Sequence, residues 1–165
     1  MPTRIRPAVA GDDAALAALD RATWNTITTP APPPGPDRPF FDVRCRPEDV
    51  LVAEVDGEVA GYIRTLPGMP PGVGDHVAHI NGFAVAPGRQ RQGIGRALLD
   101  RAIASARARR ARRVTLRVLG TNHAARGLYE SAGFVVEGVL RGEFLLDGDY
   151  VDDVLMAFEL LPAVS

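Results

Sequence analysis

Apolar and polar positions change period several times along the chain, and each change marks an element. Thr3 to Val9 alternates and predicts a first strand. Gly11-Asp12-Asp13 then caps a helix whose apolar positions, Ala15, Leu16, Leu19 and Ala22, recur at helical spacing. Leu51 to Ile63 reads as a hairpin, with β-forming residues on both sides of the tight-turn pair Asp56-Gly57. A strand follows around Val77 to Val85, then a helix from about Gly93 to Arg109 with Ile94, Leu98, Ala102 and Ala106 on one face. Val114 to Leu119 is another strand. Asn122 caps a short helix that Gly133 ends, with Ala124, Leu128 and Ala132 as its core side. Phe134 to Leu146 and Tyr150 to Leu160 form a last hairpin around Asp147-Gly148.

The order β α β β β α β α β β predicts a mixed sheet with helices on its faces, an α/β (α+β) class. Two stretches escape the periodic pattern. Pro30 to Pro39 holds six prolines in ten residues and can be neither helix nor central strand. It is expected as a stiff loop at the mouth of a site, and Pro67 to Asp75 as a second, flexible one.

The densest chemistry lies where the strand ending at Val85 meets the following helix. The turn Gln90-Arg91-Gln92-Gly93-Ile94-Gly95 is expected to leave several backbone N–H groups converging on one point. A helix N-terminus adds partial positive charge there, and Gly93 and Gly95 carry no side chain to block close approach. Arg89, Arg91 and Arg96 surround the same spot, which suits a pyrophosphate. Two rival phosphate motifs are excluded. The chain contains no lysine, all 19 of its basic residues being arginine, so a Walker A lysine and a lysine Schiff base are both ruled out. A dinucleotide fingerprint needs a third glycine where Leu98 stands.

Length and composition narrow the class further. At 165 residues and 46% apolar content the chain suits a single domain, residues 1–165, with a proper core and no run long enough to span a membrane. Cys45 is the only cysteine, so neither an intrachain disulfide nor a cysteine-based zinc cluster can form, and no metal is expected. The opening residues, Met1-Pro-Thr-Arg-Ile-Arg, show no apolar block; the expected location is cytoplasmic. The net charge of −1 hides an asymmetry: ten arginines and only Asp100 between Arg89 and Arg117, against six acids and no base after Arg141. That pattern suggests an anionic ligand at one site and a cationic one at another.

On the short helix, positions 122, 125 and 129 share one face, presenting an amide, a small residue and a phenol. A phenol can protonate a departing thiolate because their intrinsic pKa values, about 10 and about 8.5, are comparable. Gln-x-x-Gly-x-Gly at 90–95, followed in order by Asn-x-x-Ala-x-x-x-Tyr-Glu-x-x-Gly-Phe at 122–134, resembles the GNAT family of N-acetyltransferases, over most of the chain. That resemblance implies a mixed sheet of about seven strands, splayed between the strand ending at Val85 and the strand Val114 to Leu119, with acetyl-CoA as co-substrate. It further implies that Phe83 and Val85 pair through their backbone with the pantetheine arm, and that Gln90, Arg91, Gln92, Gly93, Ile94, Gly95 and Arg96 hold the pyrophosphate. Asn122 and Ala125 would contact the cofactor, and Tyr129 would be the general acid.

The base is the point of departure. Where many relatives carry a glutamate, this chain reads His79-Ile80-Asn81-Gly82. His79 is the titratable candidate, since its unperturbed pKa of about 6.5 suits proton removal; Asp152 and Asp153 are alternatives for recognising a cationic amine, and a water chain is another. The expected acceptor is a small-molecule or peptide amine, walled by the two loops; Trp24 and Phe40 or Phe41 are read first as core packing and second as apolar surface of that pocket. A homodimer is implied by the resemblance. A rival reading is a non-catalytic acyl-CoA sensor. An RNA-binding role for the arginines at 101–113 is disfavoured, because no aromatic residues interleave with them, so no nucleic-acid partner is expected.

Overall fold

The computed structural model describes residues 2–160. In chain order the elements are β1 (Arg4–Pro7), α1 (Asp13–Thr23), β2 (Val50–Val55), β3 (Glu58–Pro67), β4 (Val77–Val85), α2 (Ile94–Ala108), β5 (Arg113–Leu119), α3 (His123–Ala132), β6 (Val135–Leu146) and β7 (Asp149–Glu159). The hydrogen-bonded order is β1-β2-β3-β4-β5-β7-β6, a seven-stranded mixed sheet. β4 and β5 run parallel, with partners from Val77↔Arg113 to Ile80↔Leu116; β4 then continues to Val85 and β5 to Leu119 beyond the last pair. The expected splay is therefore present. No helix among the described residues is long and apolar enough to cross a membrane.

Two compact units make up the chain: residues up to 24, 32–65 and 82–102 in the first, and residues 25–31, 66–81 and 103 onward in the second. In the first unit, Leu16 and Leu19 of α1 pack with Val50 and Val52 of β2 and Tyr62 of β3, and Phe40 and Phe41 close over them. α2 lies tight on β3: a Cβ at Gly61 would come within 2.9 Å of the Ala84 carbonyl and 3.2 Å of Leu98 Cδ1. Leu98, at the position where a dinucleotide fingerprint requires glycine, is fully buried at 0% exposure. In the second unit, Val114, Leu116, Val154 and Met156 form the sheet side of the core. Phe134 packs between Tyr129 and Phe158, with ring centroids 5.8 and 5.5 Å away.

Two local expectations need correction. β1 is shorter than Thr3 to Val9 because the Val9 amide donates to Asp12 Oδ2 at 2.8 Å instead of to a neighbouring strand. Arg6 grips that same carboxylate with two nitrogens at 2.8 and 2.9 Å, which holds Asp12 below its ordinary pKa. On α3, Ala124 is exposed, and the buried residue is Tyr129, with Ala125, Leu128 and Ala132 half-buried around it. The apolar stripe runs through 125, 128, 129 and 132, which rolls position 124 outward. Elsewhere local rules hold: Asn122 Oδ1 accepts from the Ala125 amide at 3.2 Å, and Gly133 ends α3 at φ 105°.

Truncating Leu98 to Ala removes buried atoms from the α2–β3 seam. Urea unfolding of Leu98→Ala is predicted to show a loss of about 2–5 kcal/mol with an unchanged slope.

Candidate functional site

In the first unit the chain leaves β4 through a turn of 3-10 helix at Pro87–Arg89, where the Arg89 amide bonds the Ala86 carbonyl at 2.8 Å. Gln90 is extended, Arg91 is left-handed at φ 62°, and Gly93 follows at φ 82°. Ala97 N donates to Gly93 O at 3.0 Å, so the amides of Ile94 and Gly95 lie ahead of the helical ladder. Alternation of handedness just before a helix turns successive N–H groups toward one concave point, the geometry of an anion-binding nest. The Ile94 side chain is 2% exposed and anchors the start of α2 in the core, which fixes the direction of those amides. A Cβ at Gly93 would meet nothing within 4 Å, so the space over the turn is open.

The side chains of the turn contribute less than the sequence suggests. Arg96 Nε is paired with Asp100 one turn on at 2.9 Å, and Arg89 lies 3.8 Å from Asp56. The Gln90 and Gln92 side chains reach back to the Val85 and Gly88 carbonyls at 3.4 and 3.5 Å, the long end of hydrogen bonding. What this segment offers a ligand is mainly main chain. Phe83 and Val85, both half-buried, lie on the β4 segment that leads into it.

The second unit carries His79, Asn122, Ala125 and Tyr129. Tyr129 is 6% exposed, and burial pushes its phenol well above the ordinary range, so it is a neutral proton carrier at every physiological pH. Asn122 spends its carbonyl oxygen on capping α3. His79 Nδ1 lies 2.9 Å from Thr115 Oγ1, its partner residue across the β4–β5 ladder. Burial, and then the positive charge of Arg117, depress the pKa of His79, which keeps the imidazole neutral and able to accept a proton.

Of the two acidic alternatives, Asp153 is closed off and Asp152 is engaged through one oxygen. Asp153 is 2% exposed and ion-paired with Arg117, whose Nε lies 2.6 Å away. Asp152 accepts the Gly142 amide on Oδ1 at 2.9 Å and the Gly120 amide on its carbonyl at 2.8 Å. Cys45 is buried at 6% exposure, and burial raises its thiol pKa; it has the character of a packed thiol, not a nucleophile.

One polar pair escaped sequence reasoning altogether. Tyr62 Oη donates to Asp20 Oδ1 at 2.5 Å inside the first unit. The signal was available: Asp20 stands four residues after Leu16 and one after Leu19, on the edge of the apolar stripe of α1.

The profile of the acetyltransferase (GNAT) family matches residues 17–134. Over 52 residues the chain is 56% identical to the mycothiol acetyltransferase of Beutenbergia cavernae, covering 32% of this chain and 18% of that one. Over 78 residues it is 37% identical to the ribosomal protein bS18-alanine N-acetyltransferase of Escherichia coli K12, covering 47% of this chain and 53% of that one. The chain thus spans less than two thirds of the length of these curated relatives. A Salmonella typhimurium protein solved with its cofactor acetyl-CoA has the same fold, with a TM-score of 0.82 at 24% identity, over 100% of this chain and 98% of that one.

Because the folded pKa of His79 lies below its unfolded value, the unfolded chain binds this proton first. The stability from neutral His79 is fully present above pH about 6.5 and is lost as pH falls from there through the folded value. Proton NMR of the imidazole is predicted to titrate with a midpoint below about 6.5, and His79→Gln to flatten that part of the stability profile.

Proposed function

We propose, from the premise that this chain belongs to the acetyltransferase (GNAT) family, that it moves an acetyl group from acetyl-CoA to a primary amine by direct attack. The observation that carries this reading is the nest at the start of α2, where left-handed Arg91 and Gly93 precede amides ahead of the helical ladder. Those main-chain donors bind the pyrophosphate, with open space at Gly93 for its approach. The backbone of Phe83 and Val85 pairs with the pantetheine arm, and Asn122 and Ala125 contact the cofactor from α3. Acetyl-CoA supplies an activated acyl group, so no covalent enzyme intermediate is required.

Three things are asked of the protein. The amine must reach the carbonyl as the neutral base, and His79, kept neutral by burial, is the proposed proton acceptor. The two reactants must be held together, which lets binding replace much of the entropic barrier. The departing thiolate must be protonated, and Tyr129 is the proposed donor, its buried phenol being fully protonated and so carrying a proton to give. The acceptor is a small amine, an amino acid or a peptide N-terminus; the relatives are named for mycothiol and for a ribosomal-protein alanine. A homodimer in the cytoplasm is part of the same reading.

Gly93→Val and Gly95→Val are expected to abolish CoA binding in calorimetry while the circular dichroism of the fold persists. Normal affinity in both would overturn the placement of the pyrophosphate. Tyr129→Phe is expected to cut turnover by about a hundredfold, with acetyl-CoA affinity within about threefold of the parent. Unchanged turnover would remove it as the acid. A sensor module would bind CoA yet release no thiol with any amine.

A further inference from the structure

The first unit holds a group of charged and polar side chains that acetyl-CoA binding does not use. Asp20, in the last turn of α1, is half-buried and takes the Tyr62 hydroxyl on Oδ1 at 2.5 Å, leaving Oδ2 without a donor among the described residues. Tyr62 is itself 7% exposed and packs edge-on against Phe40, with ring centroids 4.9 Å apart. Arg64 stands two residues further along β3 and so projects from the same face. Its Nη2 donates to the Arg44 carbonyl, but its Nε is buried with no hydrogen-bond partner among the described residues.

A buried donor without an acceptor is destabilising and calls for an explanation. Arg113 and Arg126 also carry such a nitrogen, yet Arg113 is already paired with Glu137 and Glu159. Arg64 has no carboxylate within ion-pairing distance among the described residues; it acts on Asp20 only through space, as does Arg38. Desolvation raises the pKa of Asp20 against the pull of Tyr62, Arg38 and Arg64, and the buried thiol of Cys45 faces it from the loop before β2. An incompletely satisfied carboxylate and an incompletely satisfied guanidinium therefore sit on one small surface.

That surface has a defined neighbour. A Cβ at Gly82 would lie 3.2 Å from Tyr62 Cε2 and 3.3 Å from Arg64 Cβ. Tyr62 and Arg64 thus cover β4 at the residue just before Phe83, which the proposed function gives to the pantetheine arm. Opposite charges, each short of a partner, match a molecule carrying both an ammonium and a carboxylate.

We propose that Asp20, Tyr62 and Arg64 form the acceptor subsite, and that the acceptor is a free amino acid or a close analogue with its carboxylate near its amine. Asp20 binds the ammonium as its counter-ion, Tyr62 positions that carboxylate, and Arg64 binds the carboxylate of the acceptor, while removal of the ammonium proton stays with His79. A peptide N-terminus presents an amide where the free acid presents this charge, so the subsite discriminates against it. The inference rests on the acetyl-transfer reading above.

The test is a panel of free amino acids and their C-terminal amides with acetyl-CoA, reading released thiol. The free acids are expected to exceed their amides at least tenfold in kcat/KM. Arg64→Met should raise KM for the acids to the level of the amides, leave the KM of acetyl-CoA unchanged, and be partly rescued by Arg64→Lys. Asp20→Asn should raise the KM of both the acids and the amides at least tenfold while changing kcat less, and Tyr62→Phe should raise it by a smaller factor, with the KM of acetyl-CoA unchanged in both. Amides used as well as acids, a preference untouched by Arg64→Met, or thiol release only with amines lacking a carboxylate would each overturn the subsite while leaving acetyl transfer standing. No thiol release with any amine, despite normal CoA binding, would overturn acetyl transfer and the subsite together.

Discussion

The amides at the beginning of α2 cannot be satisfied by the helix they open, and most of what the site can do follows from how that surplus is held. An α-helix leaves its first donors over as a matter of geometry. Fraying or a side-chain cap usually absorbs them. Here the first residue of α2, Ile94, is buried, and Leu98 presses on β3 at the place where Gly61 has no side chain. The start of the helix is pinned from within, while left-handed Arg91 and Gly93 turn the preceding chain around the open side. Core packing thereby preorganises a polar site, because the donors need no rearrangement to meet an anion.

This division of labour explains why the arginines matter less than their number suggests. Arg96 and Arg89 have carboxylate partners in Asp100 and Asp56, and exposed pairs of this kind contribute little to stability or to a fixed geometry. Main-chain donors have no rotamers to lose on binding. In the proposed reading the turn selects a diphosphate through the direction of its N–H groups, with side-chain charge as a supplement.

Much of this was legible in the sequence because it obeys local rules. Gly93 and Gly133 mark positive φ, Asn122 marks a helix start, and Asp56-Gly57 and Asp147-Gly148 mark hairpin turns, all of them decided within a few residues. The misses are pairings that no local period encodes. The end of β1 depends on Asp12 being gripped by Arg6, and the outward turn of Ala124 on where Tyr129 meets Phe134. Asp20 and Tyr62 are 42 residues apart, and Arg117 and Asp153 36 apart. For His79 the sequence supplied a titratable group, while the direction of its shift came from burial and Arg117.

Charge asymmetry along the chain illustrates the same limit more sharply. An acidic C-terminal stretch suggested a site for a cationic acceptor, yet the fold pairs two of those acids, Asp153 and Glu159, with arginines of the basic strand before them. Arg117 takes Asp153, Arg113 approaches Glu159 at 3.9 Å and takes the upstream Glu137, and one oxygen of Asp152 accepts the Gly142 amide. Charges that neutralise one another inside a sheet hold its strands in register and are not available to a ligand. The informative charges are those the fold leaves unmatched at a cost, since a half-buried carboxylate beside an unpaired guanidinium N–H is poorly explained by stability alone. By that criterion the proposed recognition of the acceptor shifts from the acidic end of the chain to the surface shared by α1 and β3, where Asp20 Oδ2 and Arg64 Nε each lack a partner among the described residues.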